Sequence, residues 1–239
     1  MTEQLYRADA YLRETTAKVL AVNERGGIVL DRTPFYAAAG GQPGDKGVLR
    51  FPGGECPITT AVYDTDKATI VHVAAEGAVR PTAGDSVTIE LDWATRFKHM
   101  RMHTALHLLC SLVKYPVTGG QIGADEGRLD FDIEDAGAID KDKLTADLNV
   151  LVAANHPVGE RWISDAELEA NPGLIRTMAV KPPMGSGKVR LVLIGEHGAV
   201  DLQPCGGTHV RSTAEIGALA VSKIEKKGKI NRRVRVVFA

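Results

Sequence analysis

The sequence is poor in cysteine. Its 239 residues hold three, Cys56, Cys110 and Cys205, widely spaced and odd in number. That argues against a disulfide framework and for a reducing setting, the cytoplasm. No run of about 18 apolar residues exists, so no membrane-spanning helix is expected. The opening stretch MTEQLYRADAYLRE has no basic segment followed by an apolar block, so no secretory signal is expected either. Net charge is only −1 at pH 7, which neither points to nucleic acid nor argues against it. Internal repeats and low-complexity segments are absent. A Gly-x-Ser-x-Gly elbow is also missing, which removes the simplest sign of a serine nucleophile.

What remains is the composition of a globular chain, 44% apolar and 25% charged, long enough for one large domain or two smaller ones. Residues 1–92 read as short strands broken by Gly/Pro turns. AKVLAV and GIVLDRT flank the turn signal NERGG. GVLRF, ITTAVYD, TIVHVAA and SVTIELD follow, and the pattern predicts a small antiparallel β-barrel. Within it, FYAAAGGQPGDKG (residues 35–47) carries four glycines and a proline. Such a loop is either a wide turn or a backbone surface open to a ligand.

The character changes at Asp92, an N-cap for a helix from about 93 to 114 with apolar residues at helical spacing. A turn-rich strand pair follows in TGGQIGADEGRLDFDIED, then a helix in DKDKLTADLNVLVAANH. SDAE supplies a capping box for a third, short helix. KVRLVLIG and GAVDLQ predict a hairpin around EHG, and IGALAVSKI and RRVRVVF two last strands. Without regular βαβ alternation, residues 93–239 read as an α+β domain with an antiparallel sheet.

QPCGGTHVRS places Cys205 and His209 four positions apart, and HTALHLL places His103 and His107 at i, i+4 on one helix face. Two imidazoles at that spacing can chelate one metal ion. The set His103, His107, Cys205 and His209 is an N₃S group that suits one Zn²⁺. His99 lies one turn before His103, and spacing alone does not choose between the pairs 99/103 and 103/107.

HTALHLL together with DLQPCGGTHVRSTAEIG resembles the editing domain of alanyl-tRNA synthetases. It resembles more fully the free-standing AlaX trans-editing alanyl-tRNA deacylases, of the medium-length type. The resemblance selects His103, His107, Cys205 and His209 as metal ligands and as the catalytic group. It implies substrate contacts at Thr104, Gln121, Arg128, Asp130, Gly206, Gly207 and Thr208, and at Gly40, Gly41 and Gln42 of the glycine-rich loop. Ala37, Ala38 and Ala39 stand where many relatives carry Pro-Glu-Gly. The implied substrate is tRNA(Ala) wrongly charged with serine or glycine, whose ester bond would be hydrolysed by water in a zinc-dependent reaction. No protein partner is implied.

Residues 222–235, SKIEKKGKINRRVR, hold seven Lys/Arg against one Glu. With tRNA as the substrate, Lys226, Lys227, Lys229, Arg232 and Arg233 become candidates for phosphate contact. The alternative is a non-catalytic RNA-binding module with a structural zinc.

Overall fold

The computed structural model describes residues 1–134, 137, 139–176, 187–228 and 230–239. The chain forms two compact units, Met1–Phe97 and Lys98–Ala239.

The first unit is a closed barrel. Its strands are β2 (Glu14–Val22), β3 (Ile28–Leu30), β5 (Gly47–Phe51), β6 (Gly54–Tyr63), β7 (Ile70–Ala74) and β8 (Ser86–Leu91), in the order β2-β3-β7-β6-β5-β8. Every pairing round the barrel is antiparallel, as the sequence predicts. Closure leaves no open edge. A two-residue parallel pair, β1 (Glu3–Gln4) with β4 (Arg32–Thr33), lies beside it. Alternate residues point inward, so Val19, Ile28, Leu30, Leu49, Ile58, Ile70, Val87 and Ile89 fill the interior.

Helix α1 (Trp93–Leu112) begins where Asp92 accepts the Thr95 backbone N–H at 3.1 Å. Its first turn belongs with the barrel, and Arg96 shows why. The Arg96 guanidinium is fully buried, pairs with Asp45 and donates to Pro34 O (2.7 Å) and Ala10 O (2.9 Å). Asp45 in turn accepts the Tyr36 N–H, which holds the glycine-rich loop by both ends. At that loop's tip Gly40 and Gly41 have φ of +57° and +83°. Ala39 and Gln42 bridge antiparallel across them, a tight turn that only residues without Cβ adopt cheaply.

Among its described residues, the second unit has two antiparallel sheets. One is ordered β14-β15-β10-β9, with β9 (Val117–Ile122), β10 (Glu126–Asp132), β14 (Leu219–Lys226) and β15 (Asn231–Phe238). Helix α1 packs closely on β10: a Cβ on Gly127 would stand 2.7 Å from Met102 Sδ. Helix α2 (Lys141–Ala153), capped by Asp140, seals the edge of β14. Asn149 bonds both backbone groups of Leu219 (2.8 and 3.0 Å), and Thr145 Oγ accepts Val221 N–H at 3.0 Å.

The other sheet is β11 (Val158–Ser164), β12 (Lys188–Ile194) and β13 (Asp201–Pro204), in that order. One face of it packs under α3 (Asp165–Ala170) through Ile163, Leu168, Val189 and Leu191. The opposite face carries the residues described next. Strand β11 is absent from the sequence reading. It is an edge strand, exposed over four consecutive residues, and shows no hydrophobic alternation.

Candidate metal centre

Strand β13 alternates Asp201, Gln203 and Cys205 toward one side and Leu202 toward the α3 side. That alternation aims a carboxylate, an amide and a thiol at α1. From α1, His103 and His107 arrive one turn apart, their ring centroids 5.3 Å from each other. After β13 the chain turns through Gly206 and Gly207 and delivers His209, whose ring lies 4.3 Å from His103 and 4.7 Å from His107. Cys205 Sγ stands 3.4 Å from His103 Nε2 and 3.3 Å from His209 Nε2. The four ligand atoms lie within 4.8 Å of one another. The edges of a zinc tetrahedron with such ligands measure about 3.3–3.6 Å, so only a small contraction separates this group from a coordination shell.

The hydrogen bonds behind the cluster fit a metal. His107 Nδ1 is 2.8 Å from Asp201 Oδ2, which also accepts Gln203 Nε2 at 2.8 Å. A buried carboxylate accepts from Nδ1–H and leaves Nε2 with its lone pair toward the centre, the carboxylate–histidine arrangement of metal sites. His209 has a neutral anchor. The Thr104 hydroxyl donates to Met100 O (3.0 Å), so its oxygen accepts from His209 Nδ1–H (3.1 Å) and from Val210 N–H (3.3 Å).

The electrostatics agree. Burial pushes the Cys205 thiol up, but His103 and His209 outweigh it and hold Cys205 well below the usual thiol range. Burial works against a charged His107. Asp201 and Cys205 prevail and raise it to about 10. His209 is held well below its ordinary value, first by burial and then by the charge of His103. The group favours a thiolate at Cys205 and a neutral His209, donors that suit zinc, and the proton that Asp201 and Cys205 favour on His107 would leave when a metal binds.

The loop that carries Cys205 is held from behind by Arg190, which the sequence reading passes over. Arg190 Nη1 donates to Cys205 O (3.0 Å) and Gly207 O (2.9 Å), its Nε pairs with Glu160, and Gly207 N–H points at Cys205 Sγ (3.4 Å). A Cβ on Gly206 would meet nothing within 4 Å, so this position faces open space beside the cluster. Thr208 is buried next to it. Asp201 and Gln203 were missed as well, although the alternation of DLQPC was a signal for them. Arg190 left no such signal, because it is joined to the loop only through the register of two strands.

Three other expected contacts of the same unit turn away from α1. Gln121, Arg128 and Asp130 stand on the face of the four-stranded sheet opposite to Gly127, and so opposite to α1. There Asp130 takes two bonds from Arg233 (2.7 and 2.8 Å) and one from Arg128 (2.8 Å), while Arg128 also reaches Gln121 at 3.3 Å. Their polar groups answer one another in an ion-pair network rather than lining the cluster. Gly40, Gly41 and Gln42 belong to the barrel unit, where Gln42 is buried. Of the basic segment, Lys226 and Lys227 are exposed and Lys229 lies outside the described residues. Arg232 is buried and donates to Glu134 O at 2.9 Å, so its head group is turned inward.

A barrel followed by an α+β unit with a His₃Cys cluster is matched in both parts by family models of tRNA synthetases. The family described as threonyl and alanyl tRNA synthetase second additional domain matches residues 189–235, and class II (A) tRNA synthetases match residues 8–95. An alanyl-tRNA editing protein AlaX-M of Methanosarcina acetivorans is 37% identical over 98% of this chain and 98% of its own length. The AlaX-L editing protein of Pyrococcus horikoshii is 33% identical, with this chain spanning 56% of it. An alanine–tRNA ligase of Pyrobaculum aerophilum is 35% identical, with this chain spanning 25% of it. The chain belongs to the AlaX-M family of alanyl-tRNA editing proteins.

Proposed function

We propose that the protein acts in trans on mischarged tRNA(Ala) and hydrolyses the ester that joins serine or glycine to the terminal ribose. The observation that carries this reading is the convergence of His103, His107, Cys205 and His209, with ligand atoms within 4.8 Å of one another, in a member of an editing family. The residues would hold one zinc ion, which when bound supplies a Lewis acid for the ester carbonyl and for water. An aminoacyl ester is already activated, so placement and charge stabilisation matter more than a strong nucleophile. Cys205 serves as a ligand in this reading: its sulfur faces two imidazoles and the Gly207 N–H at once. The open space beside Gly206 suits close approach of the ester and its amino acid. Thr104 acts through His209, because its own hydroxyl already donates to Met100 O.

The test is direct. Ser-tRNA(Ala), Gly-tRNA(Ala) and Ala-tRNA(Ala) are incubated with the protein, with and without a chelator. Serine and glycine should be released and alanine retained, chelation should suppress release, and added zinc should restore it. A protein that holds zinc and leaves all three esters intact would support the alternative, an RNA-binding module with a structural zinc, which the complete set of four protein donors also suits.

A further inference from the structure

We propose that Trp162 is a stacking platform for the nucleobase at the 3′ end of the substrate RNA, on the same sheet face as the metal cluster. The proposal rests on the reading that the substrate is an aminoacyl-tRNA, and it names where the terminal base goes. Trp162 on β11 sits directly opposite Arg190 on β12. Arg190 O in turn accepts Cys205 N–H at 3.1 Å where β13 ends. Trp162, Arg190 and Cys205 therefore form one row across the sheet. Neighbouring strands are about 4.8 Å apart, so the row sets Trp162 about 10 Å from Cys205.

Side chains directly opposite each other share a face. That face is the cluster's. The other face of β11 and β12 is filled by Ile163, Val189 and Leu191 beneath α3. Arg190 makes the link concrete, since its side chain lies on the Trp162 side and its head group donates to the Cys205 and Gly207 carbonyls. Glu160, two residues before Trp162 and on the same face, pairs with that guanidinium and holds the arginine down.

Trp162 is 44% exposed. A partly exposed indole on this strand, one arginine away from the site where an ester would be held, offers aromatic surface at nucleoside range. Every base has a π-face, so stacking needs no sequence-specific partner. It also adds ground-state affinity without touching the scissile bond, so its loss should appear in KM rather than in kcat.

The experiment uses the full chain with two variants. Removing a stacked base–aromatic contact costs about 5- to 150-fold in affinity. Trp162→Ala should raise KM for Ser-tRNA(Ala) at least about fivefold with kcat nearly unchanged, and Trp162→Phe should restore most of it. The chain has two tryptophans. In a Trp93→Phe background Trp162 is the sole tryptophan, and titration with the hydrolysis-resistant nucleoside 3′-(L-seryl)amino-3′-deoxyadenosine should quench its selectively excited emission. A wild-type KM for Trp162→Ala, or fluorescence indifferent to the nucleoside, overturns the platform and leaves the editing reading standing. A wild-type protein that releases no serine overturns the editing reading instead.

Discussion

His107 and His209 reach the same cluster with different anchors, and the difference has a measurable consequence. His107 leans on the buried Asp201 carboxylate, whereas His209 leans on a threonine hydroxyl. An anionic acceptor at Nδ1–H makes the ring a better donor at Nε2 and fixes its orientation, and loss of such a partner costs about 10- to 100-fold in metal affinity. Asp201→Asn keeps the shape and removes the charge. Zinc affinity, read by competition with a chromogenic chelator, should fall by at least about tenfold in this variant. Thr104→Val, which removes a neutral anchor, should lose less. Equal affinities for wild-type protein and Asp201→Asn would show that the carboxylate does not tune the ligand.

At the scale of elements, the first turn of α1 is fastened by a buried ion pair. Arg96 has no exposed surface and Asp45 almost none. Removing one partner of such a pair strands a buried charge, at a cost of about 3–5 kcal/mol. Asp45→Ala should therefore lower the thermal midpoint of the full chain by several degrees. Asp45→Ala with Arg96→Met, which removes both charges, should recover much of the loss. If the double variant is no more stable than the single one, the pair is not what fastens the turn. The elements themselves were largely legible. The β2–β3 hairpin, α1 with its Asp92 cap, and the Ser164 capping box of α3 each rest on local chemistry that a few adjacent residues carry. Strand β11 was not legible, because an exposed edge strand has no buried side to leave a pattern. Two motifs pointed to the cluster, but helical spacing left His99 open beside His103 and His107, and only the family resemblance chose the four residues. The Arg190 clamp and the Gln121–Arg128–Asp130 network depend on strand register, which local patterns do not carry.

Over the whole molecule, folding rearranges the charge that the sequence displays. Residues 222–235 look like a polycation, yet the sheet answers most of it. Arg233 pairs with Asp130, Arg235 with Glu126 and Glu225, and Lys223 with Glu225, while Arg232 is buried. Burial raises the Asp130 carboxyl, but its hydrogen bond to Arg233 leads and, with Arg128, holds it below the usual carboxylate range. Among the described residues of the segment, Lys226 and Lys227 are left exposed. Each phosphate neutralised on a duplex contributes about 0.9 to the slope of log affinity against log salt. Replacing Lys226 and Lys227 together by alanine should flatten that slope for tRNA(Ala) by up to about 2, with kcat unchanged. Arg233→Ala should behave differently. It unpairs Asp130, so it should lower stability and leave the salt slope alone. If Arg233→Ala flattens the slope as much as the double lysine variant, Arg233 meets phosphate in the complex, and the ion-pair network opens when RNA arrives.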